Sequence, residues 1–353
     1  MFEDISVEKL LEQQRKKELV MIDVRSPSEF RDATIPGSLN IPLFDDAERA
    51  EIGTLYKQVS VQAAKAKGLE VVSAKLPAFI REFEQLEGQK TVFCWRGGMR
   101  SKTTATVLSL MGIRVYRLAG GIRAYRKWVV ETLAAMRLKP EPYVLNGYTG
   151  SGKTAILQRL KEQGFPVLDF EAMAGHRGSV FGNIGLSPHN QKTFESLLLK
   201  ELLPIAEAPY IVFEAESKRV GKIALPEFIV NAKSSAVQLY IELPLEARVQ
   251  HILTDYRPWE HKEECLQAFR QIKSRLHTPI AKEIEALLLT DKFADAVRLL
   301  LEHYYDPRYE HTAKQTQEKR ITFEVQSIEE AAERIGGFLS EVGPKHSLSA
   351  NER

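Results

Sequence analysis

Cys94 lies in Thr91-Val92-Phe93-Cys94-Trp95-Arg96-Gly97-Gly98-Met99-Arg100-Ser101, where a thiol, two glycines and two arginines share one turn. A thiol is a useful nucleophile only as thiolate. Backbone N–H groups of Trp95, Gly97, Gly98 and Met99 can converge on an anion, and a helix opening near Ser101 adds its positive end. Arg96 and Arg100 add full charges. Each contribution favours ionised sulfur, so the segment predicts a reactive Cys94 beneath an anion cradle.

The second chemical segment is Gly147-Tyr148-Thr149-Gly150-Ser151-Gly152-Lys153-Thr154. It satisfies the G-x4-G-K-[ST] phosphate-loop pattern, in which backbone amides wrap a diphosphate. Lys153 neutralises that charge, and Thr154 is a Mg²⁺ ligand if a metal accompanies the phosphates. Hydrolysis of a nucleoside triphosphate also needs an acid at the end of a neighbouring strand, typically aspartate. Asp169, Glu214 and Glu216 are the candidates, but neither strand shows a clean apolar run ending in Asp. The diphosphate need not be that of ATP, ATP binding stays open, and no metal ligand set is assigned. A glycine-rich stretch from Asp169 to Gly182 carries His176, Arg177 and Ser179, a second motif of the kind functional loops present.

Both segments need a strand before them and a helix after. Leu19–Val24, Thr91–Cys94 and Val115–Leu118 read as short buried strands, the last closed by Gly120-Gly121. Helical patterns over 76–86 and about 101–111 alternate with them, the arrangement of a parallel α/β sheet. Leu138-Lys139-Pro140-Glu141-Pro142 reads as a linker because two prolines interrupt any helix. A second α/β unit follows, with strands at 143–146, 166–169, 210–214 and 237–242. Past Pro244 the pattern turns helical, with one last strand at 321–325. These patterns predict domains at 1–137 and 138–244, a mainly helical region at 245–343, and a disordered polar tail at 344–353.

The 353 residues comfortably accommodate two domains and a helical appendage. No apolar run is long enough to cross a bilayer, and the acidic N-terminus lacks a signal pattern, so a cytoplasmic protein without a membrane partner is expected. Cys94 and Cys265 are the two cysteines, which excludes a disulfide framework and a zinc-ligand spacing; Cys265 reads as a packed or surface thiol. Net charge is only +2, yet Arg96, Arg100, Lys102, Arg114, Arg117, Arg123, Arg126, Lys127 and Arg137 crowd one stretch opposite the single acid Glu131. Such a run either faces an anionic substrate, nucleic acid included, or is a solvated face balanced from elsewhere.

From these residues the N-terminal unit resembles the rhodanese superfamily. The likeness is carried by Asp23-Val24-Arg25-Ser26-Pro27-Ser28-Glu29-Phe30, Ile35-Pro36-Gly37-Ser38, the Cys94 loop and Leu118-Ala119-Gly120-Gly121-Ile122. It implies that Cys94 carries a transferable sulfur or selenium. The Cys-x5-Arg spacing is one residue longer than in sulfur-transferring rhodaneses and resembles related cysteine phosphatases. A phosphatase joined to a kinase-like module therefore stays open, as does a nucleotide-switched binding module with an inactive rhodanese domain.

A rhodanese-like domain followed by a phosphate-loop domain, with His176-Arg177-Gly178-Ser179-x-Phe181-Gly182 and Val212-Phe213-Glu214-Ala215-Glu216-Ser217, resembles the tRNA 2-selenouridine synthases. That resemblance implies exchange of sulfur for selenium in wobble 2-thiouridine of tRNA, with selenophosphate as donor. It also implies geranylation of the same sulfur from geranyl diphosphate. The partners it implies are the tRNA anticodon arm and an enzyme supplying selenophosphate.

Overall fold

The computed structural model describes residues 2–16, 19–308 and 320–343. The tail expected to be disordered, 344–353, lies outside the described residues. The chain divides at Ala135/Met136 into two compact units.

In the first unit, β1 (Glu3–Ile5), β2 (Leu19–Asp23), β3 (Leu39–Asn40), β4 (Gln89–Phe93) and β5 (Val115–Leu118) form one sheet in the order β1-β5-β4-β2-β3. All its pairs are parallel. Six helices serve it: α1 (Val7–Arg15), α2 (Pro27–Asp32), α3 (Asp46–Gln58), α4 (Val61–Glu84), α5 (Met99–Leu110) and α6 (Gly121–Ala135). Central β4 is buried over four of its five residues, Lys90 and Thr91 among them, so only its end at Val92-Phe93 reads as apolar.

The helical pattern at 76–86 is only the end of α4, and α3 carries no apolar signal. No residue of α3 is buried, and a capping box of Asp45 and Glu48 starts it. A helix without an apolar stripe is invisible to periodicity. Buried Asp23 and Arg25 pair at 2.6 Å, and Arg25 also donates to the Ala33 carbonyl at 2.5 Å. The Asp23-Val24-Arg25 signature is thus a buried brace at the end of β2, because such charges persist only when paired and hydrogen-bonded.

In the second unit, β6 (Glu141–Gly147), β7 (Val167–Leu168), β8 (Tyr210–Glu214), a small antiparallel pair β9 (Arg219–Val220) and β10 (Ile223–Ala224), β11 (Val237–Glu242) and β12 (Arg320–Glu324) follow in turn. The main sheet runs β12-β11-β6-β8-β7, parallel throughout, with the phosphate-loop strand β6 at its centre. Its helices are α7 (Lys153–Glu162), α8 (Phe170–Ala174), α9 (Gln191–Ile205), α10 (Glu227–Ser235), α11 (Leu245–Tyr256), α12 (Lys262–Ile272), α13 (Thr278–Leu289), α14 (Phe293–Leu300) and α15 (Ile328–Val342).

The stretch read as a separate helical region, 245–343, shares one compact unit with the phosphate-loop sheet. Strand β12 returns beside β11 after the helices, and α15 packs on α7. A satellite core of Phe269, Ile284, Phe293 and Leu300 holds α12–α14 together. No described helix is long and apolar enough to cross a membrane.

Candidate active sites

Strand β4 delivers Cys94 to the N-terminus of α5, whose N-cap is Gly98. The sulfur lies 3.2 Å from the hydroxyl of Ser101, in the first turn of that helix. It therefore sits at the positive end of that helix. The thiol is also only 3 % exposed and packs among Ile22, Val24, Phe44 and Ala105. The protein thus holds this sulfur more deeply than a surface thiol.

Of the two arginines, Arg96 is exposed, whereas Arg100 is already engaged. Glu29 accepts from Arg100 Nη1 at 2.5 Å and Nη2 at 3.2 Å. The capping box of α2 fixes that carboxylate, since Ser26 N–H donates to Glu29 at 3.2 Å. Burial opposes ionisation of Glu29, but the Arg100 hydrogen bonds and charge outweigh it and hold its pKa below the ordinary value. Glu29 thereby fixes the orientation of the Arg100 fork.

The loop rests on Leu118-Ala119-Gly120-Gly121. Ile122 N–H donates to the Cys94 carbonyl at 2.9 Å, and Arg117 Nη1 donates to the Gly97 carbonyl at 2.9 Å. Gly121 has φ +59°, and a Cβ there would lie 2.2 Å from the Cys94 carbonyl oxygen. Only glycine permits this approach. Part of the basic run is internally balanced, since Arg117 pairs with Asp4 at 2.7 Å; Arg96, Lys102, Arg114 and Arg123 remain exposed.

The phosphate loop joins β6 to α7. Gly152, in the left-handed region at φ +74°, caps the helix, where any side chain would be strained. Lys153 Nζ donates to the carbonyls of Gly147 at 3.3 Å and Tyr148 at 3.4 Å. The Ser151 hydroxyl is buried with no partner among the described residues, a donor available to a bound anion.

Thr154 faces acids. Its hydroxyl donates to Glu171 at 2.7 Å and lies 3.5 Å from Glu214. Glu171, Glu214 and Glu216 present carboxylate oxygens within 4.8 Å of one another. Burial, then the charge of Glu216, pushes the pKa of Glu171 up to about 8. Burial and the charges of Glu171 and Asp169 push that of fully buried Glu214 well up. Crowded carboxylates beside a metal-ligating hydroxyl fit a hard divalent cation, which would relieve their repulsion.

Asp169 does not join this cluster. It caps α8, accepting from Ala172 N–H at 2.8 Å, and so turns Glu171 toward Thr154. Glu171, two residues beyond the one that sequence reasoning named, is the acid that the structure places on Thr154. The acidic set thought incomplete is supplied instead by glutamates, with Glu214 ending the apolar strand β8.

A family model described as "tRNA 2-selenouridine synthase AAA domain" matches residues 140–336, and a rhodanese-like domain model matches residues 6–127. A tRNA 2-selenouridine synthase of Nitrosomonas eutropha is 32% identical over 331 residues, covering 89% of this chain and 84% of the relative. Its counterpart in Bdellovibrio bacteriovorus is 31% identical over 340 residues, covering 83% and 89%. The chain belongs to the tRNA 2-selenouridine synthase family.

In this synthase-family chain the His176 loop organises the wall of the phosphate cleft. Arg177 pairs with Asp255 at 2.7 Å, donates to the Ile184 carbonyl at 2.8 Å and stacks over Tyr256 at 4.5 Å. The Ser179 and Tyr256 hydroxyls lie 3.3 Å apart. Arg177 and Ser179 thus anchor the loop to α11. Burial, then Arg177, lowers the His176 pKa, and its Nδ1 accepts from Gly178 N–H at 3.1 Å, so the ring is a neutral brace.

The cleft so enclosed measures about 570 Å³ and is lined by Lys153, Thr154, Glu171, Glu216, His251 and Tyr256, among others. An apolar slit opens beside it. Thr149, Ser179, Ile252, Tyr256 and Tyr305 line both, and Phe181, Leu288, Phe293 and Leu300 continue the slit inward. Cys265 is in its wall, its pKa pushed up to about 11 by burial and then by Glu264, a packed and unreactive thiol.

Proposed function

We propose that this chain is a tRNA-modifying enzyme that exchanges the sulfur of wobble 2-thiouridine for selenium, through an S-geranyl intermediate. Geranyl diphosphate is the alkyl donor and selenophosphate the selenium donor. The names borne by the relatives support the overall reaction. One observation carries the prenyl step: a diphosphate loop opening directly onto an apolar slit. A prenyl diphosphate is the ligand class that needs a charged head site continuous with an apolar tail site.

At about 60 Å³ the slit is narrower than a ten-carbon chain. Binding must therefore widen it, most readily at Leu301–Tyr305, a π-helical turn of the rare kind that is frequent at functional sites. Lys153, Ser151 and the loop amides would hold the diphosphate. A divalent cation on Thr154, Glu171, Glu214 and Glu216 would neutralise the leaving group's charge. The 2-thiouridine sulfur attacks the prenyl C1, the C1–O bond breaks, diphosphate departs, and N3 loses its proton. Alkylation turns the sulfur into a leaving group. The selenium of selenophosphate attacks C2, the C2–S bond breaks and geranylthiol departs with a proton. Hydrolysis of the P–Se bond then releases phosphate and leaves 2-selenouridine. Cys94 serves the selenium step, held by the end of α5 with Arg100 oriented by Glu29.

The test is mass spectrometry of tRNA nucleosides from a strain lacking this protein, complemented with wild type, Cys94→Ser or Lys153→Ala. Expected are loss of 2-selenouridine in the deletion, no selenium entry with Cys94→Ser, and no S-geranyl product with Lys153→Ala. Unchanged 2-selenouridine in the deletion strain overturns the proposal.

A further inference from the structure

A second cavity of about 740 Å³ adjoins the phosphate cleft; Glu214 and Glu216 of the carboxylate cluster form part of the wall between them, and the chemistry above leaves the cavity itself without an occupant. The two share Asn146, Ala215, Glu216 and Ser217, so they meet along the loop after β8. Phe170, Phe213 and Tyr240 give the second cavity aromatic walls, and α10 closes it with Ile229 and Val230. Lys233 of α10 donates to the carbonyls of Ala215 at 3.4 Å and Glu216 at 2.5 Å, tying that helix to the shared wall.

Two carboxamides line this mostly apolar space, and their orientation is fixed. Gly147 N–H donates to Asn146 Oδ1 at 2.8 Å, Asn146 Nδ2 donates to Gln238 Oε1 at 3.4 Å, and Gln238 Nε2 donates to the Ala236 carbonyl at 3.3 Å. Each amide nitrogen keeps one further N–H, and each oxygen one further lone pair. Oriented amides between aromatic walls are how proteins read the Watson–Crick edge of an unstacked base. A 2-thiopyrimidine offers O4 and N3–H to such groups. Its C2 sulfur, next to N3, then stays unpaired, as transfer from the neighbouring cleft demands.

We infer that this cavity receives the acceptor's 2-thiouracil base, flipped from the RNA, with its O4/N3 edge on Asn146 and Gln238. The inference rests on the reading above that the acceptor is an RNA thiopyrimidine and adds the site that recognises it. Gln238 and Asn146 are then specificity-determining residues, and α10 is the outer wall of the base site.

The test uses the full chain, geranyl diphosphate and an anticodon stem-loop RNA carrying wobble 2-thiouridine. Val230→Trp fills the cavity from a half-buried position on α10; Gln238→Leu removes one amide. Both should raise the KM for RNA on the order of tenfold or more, the worth of one base-edge contact. Calorimetric affinity for geranyl diphosphate should not change. Gln238→Leu should also lose the wild-type preference for 2-thiouridine over 2-thiocytidine in the same RNA.

An unchanged KM for RNA in a Val230→Trp protein of wild-type thermal stability overturns the inference. So does weakened diphosphate binding with normal RNA use, which would assign the cavity to the phosphate donor. If wild type prenylates no RNA, the underlying reading fails instead. The cavity is then judged by calorimetry with 2-thiouridine 5′-monophosphate: binding by wild type that Val230→Trp abolishes upholds it, and no difference refutes it.

Discussion

The cysteine loop and the phosphate loop use one backbone device in opposite electrostatic settings. Each follows the central region of a parallel sheet, turns through glycines and opens a helix, so amides and a helix end face an anion. Around Cys94 the fixed charges are cations, one oriented by a single acid, Glu29. Around Lys153 and Thr154 three glutamates crowd together. The first loop can hold an anion directly. The second needs a cation between its acids and its phosphates. On the function proposed above, the same loop geometry would serve a bound nucleophile in one unit and a departing leaving group in the other.

The sharpest way to break this comparison is to spoil one cradle by its backbone alone. Gly121→Ala puts a Cβ 2.2 Å from the Cys94 carbonyl oxygen at φ +59°. It should cost about 3 kcal/mol or more, the combined size of backbone strain and a buried clash. Thermal unfolding should show the loss, together with failure of selenium transfer and intact binding of geranyl diphosphate. Wild-type stability would mean that the two glycine loops do not pack as described.

A middle-sized effect tests the acid cluster. The pKa of Glu171, about 8, is raised from an ordinary 4.5, so the folded protein binds more protons than the unfolded chain between those values. Stability from this group is full below about pH 4.5 and declines as pH rises through about 8. Denaturant titrations without divalent cations should show that decline. Glu171→Gln, or added Mg²⁺, should flatten it; an identical slope in Glu171→Gln refutes the assignment.

The smallest expected effect separates two neighbouring carboxylates. Asp169→Ala removes a helix cap and one charge acting on Glu214, but no member of the carboxylate cluster, and loss of the cap should cost about 1 kcal/mol. Prenyl transfer should persist at saturating Mg²⁺, whereas Glu214→Gln should weaken Mg²⁺ dependence itself. Loss of Mg²⁺ response in Asp169→Ala would return Asp169 to the metal set.

Much of the fold is legible because parallel strands, buried on both faces, read as apolar runs. Tyr143–Asn146, Tyr210–Glu214 and Val237–Glu242 all fall within strands of the structure, and the strand read at Thr91–Cys94 ends at Phe93, one residue before the cysteine. The short edge strand β1, exposed at two of its three residues, lacks that signal. So does α3, which buries nothing. Site residues divide the same way. The positions of Cys94, Lys153 and Thr154 at strand-to-helix junctions were legible because covalent spacing fixes them. The partnerships of Glu29 and Glu171, and the slit, were not, because each depends on a residue distant in the chain.

What the chain determines by itself is local: where glycine permits a turn, where a strand must hand over to a helix, and which nucleophile or ammonium group stands at that junction. Backbone dihedrals depend on adjacent residues, so spacing alone reveals them. Only the tertiary structure decides the surroundings. It buries Cys94 against Ser101, spends Asp169 on a cap while delivering Glu171 to Thr154, and brings Thr149 beside Tyr305 to open a lipophilic slit at a phosphate site. Charge, dielectric and shape at a point are sums over groups brought together by folding, and a linear sequence does not contain that sum.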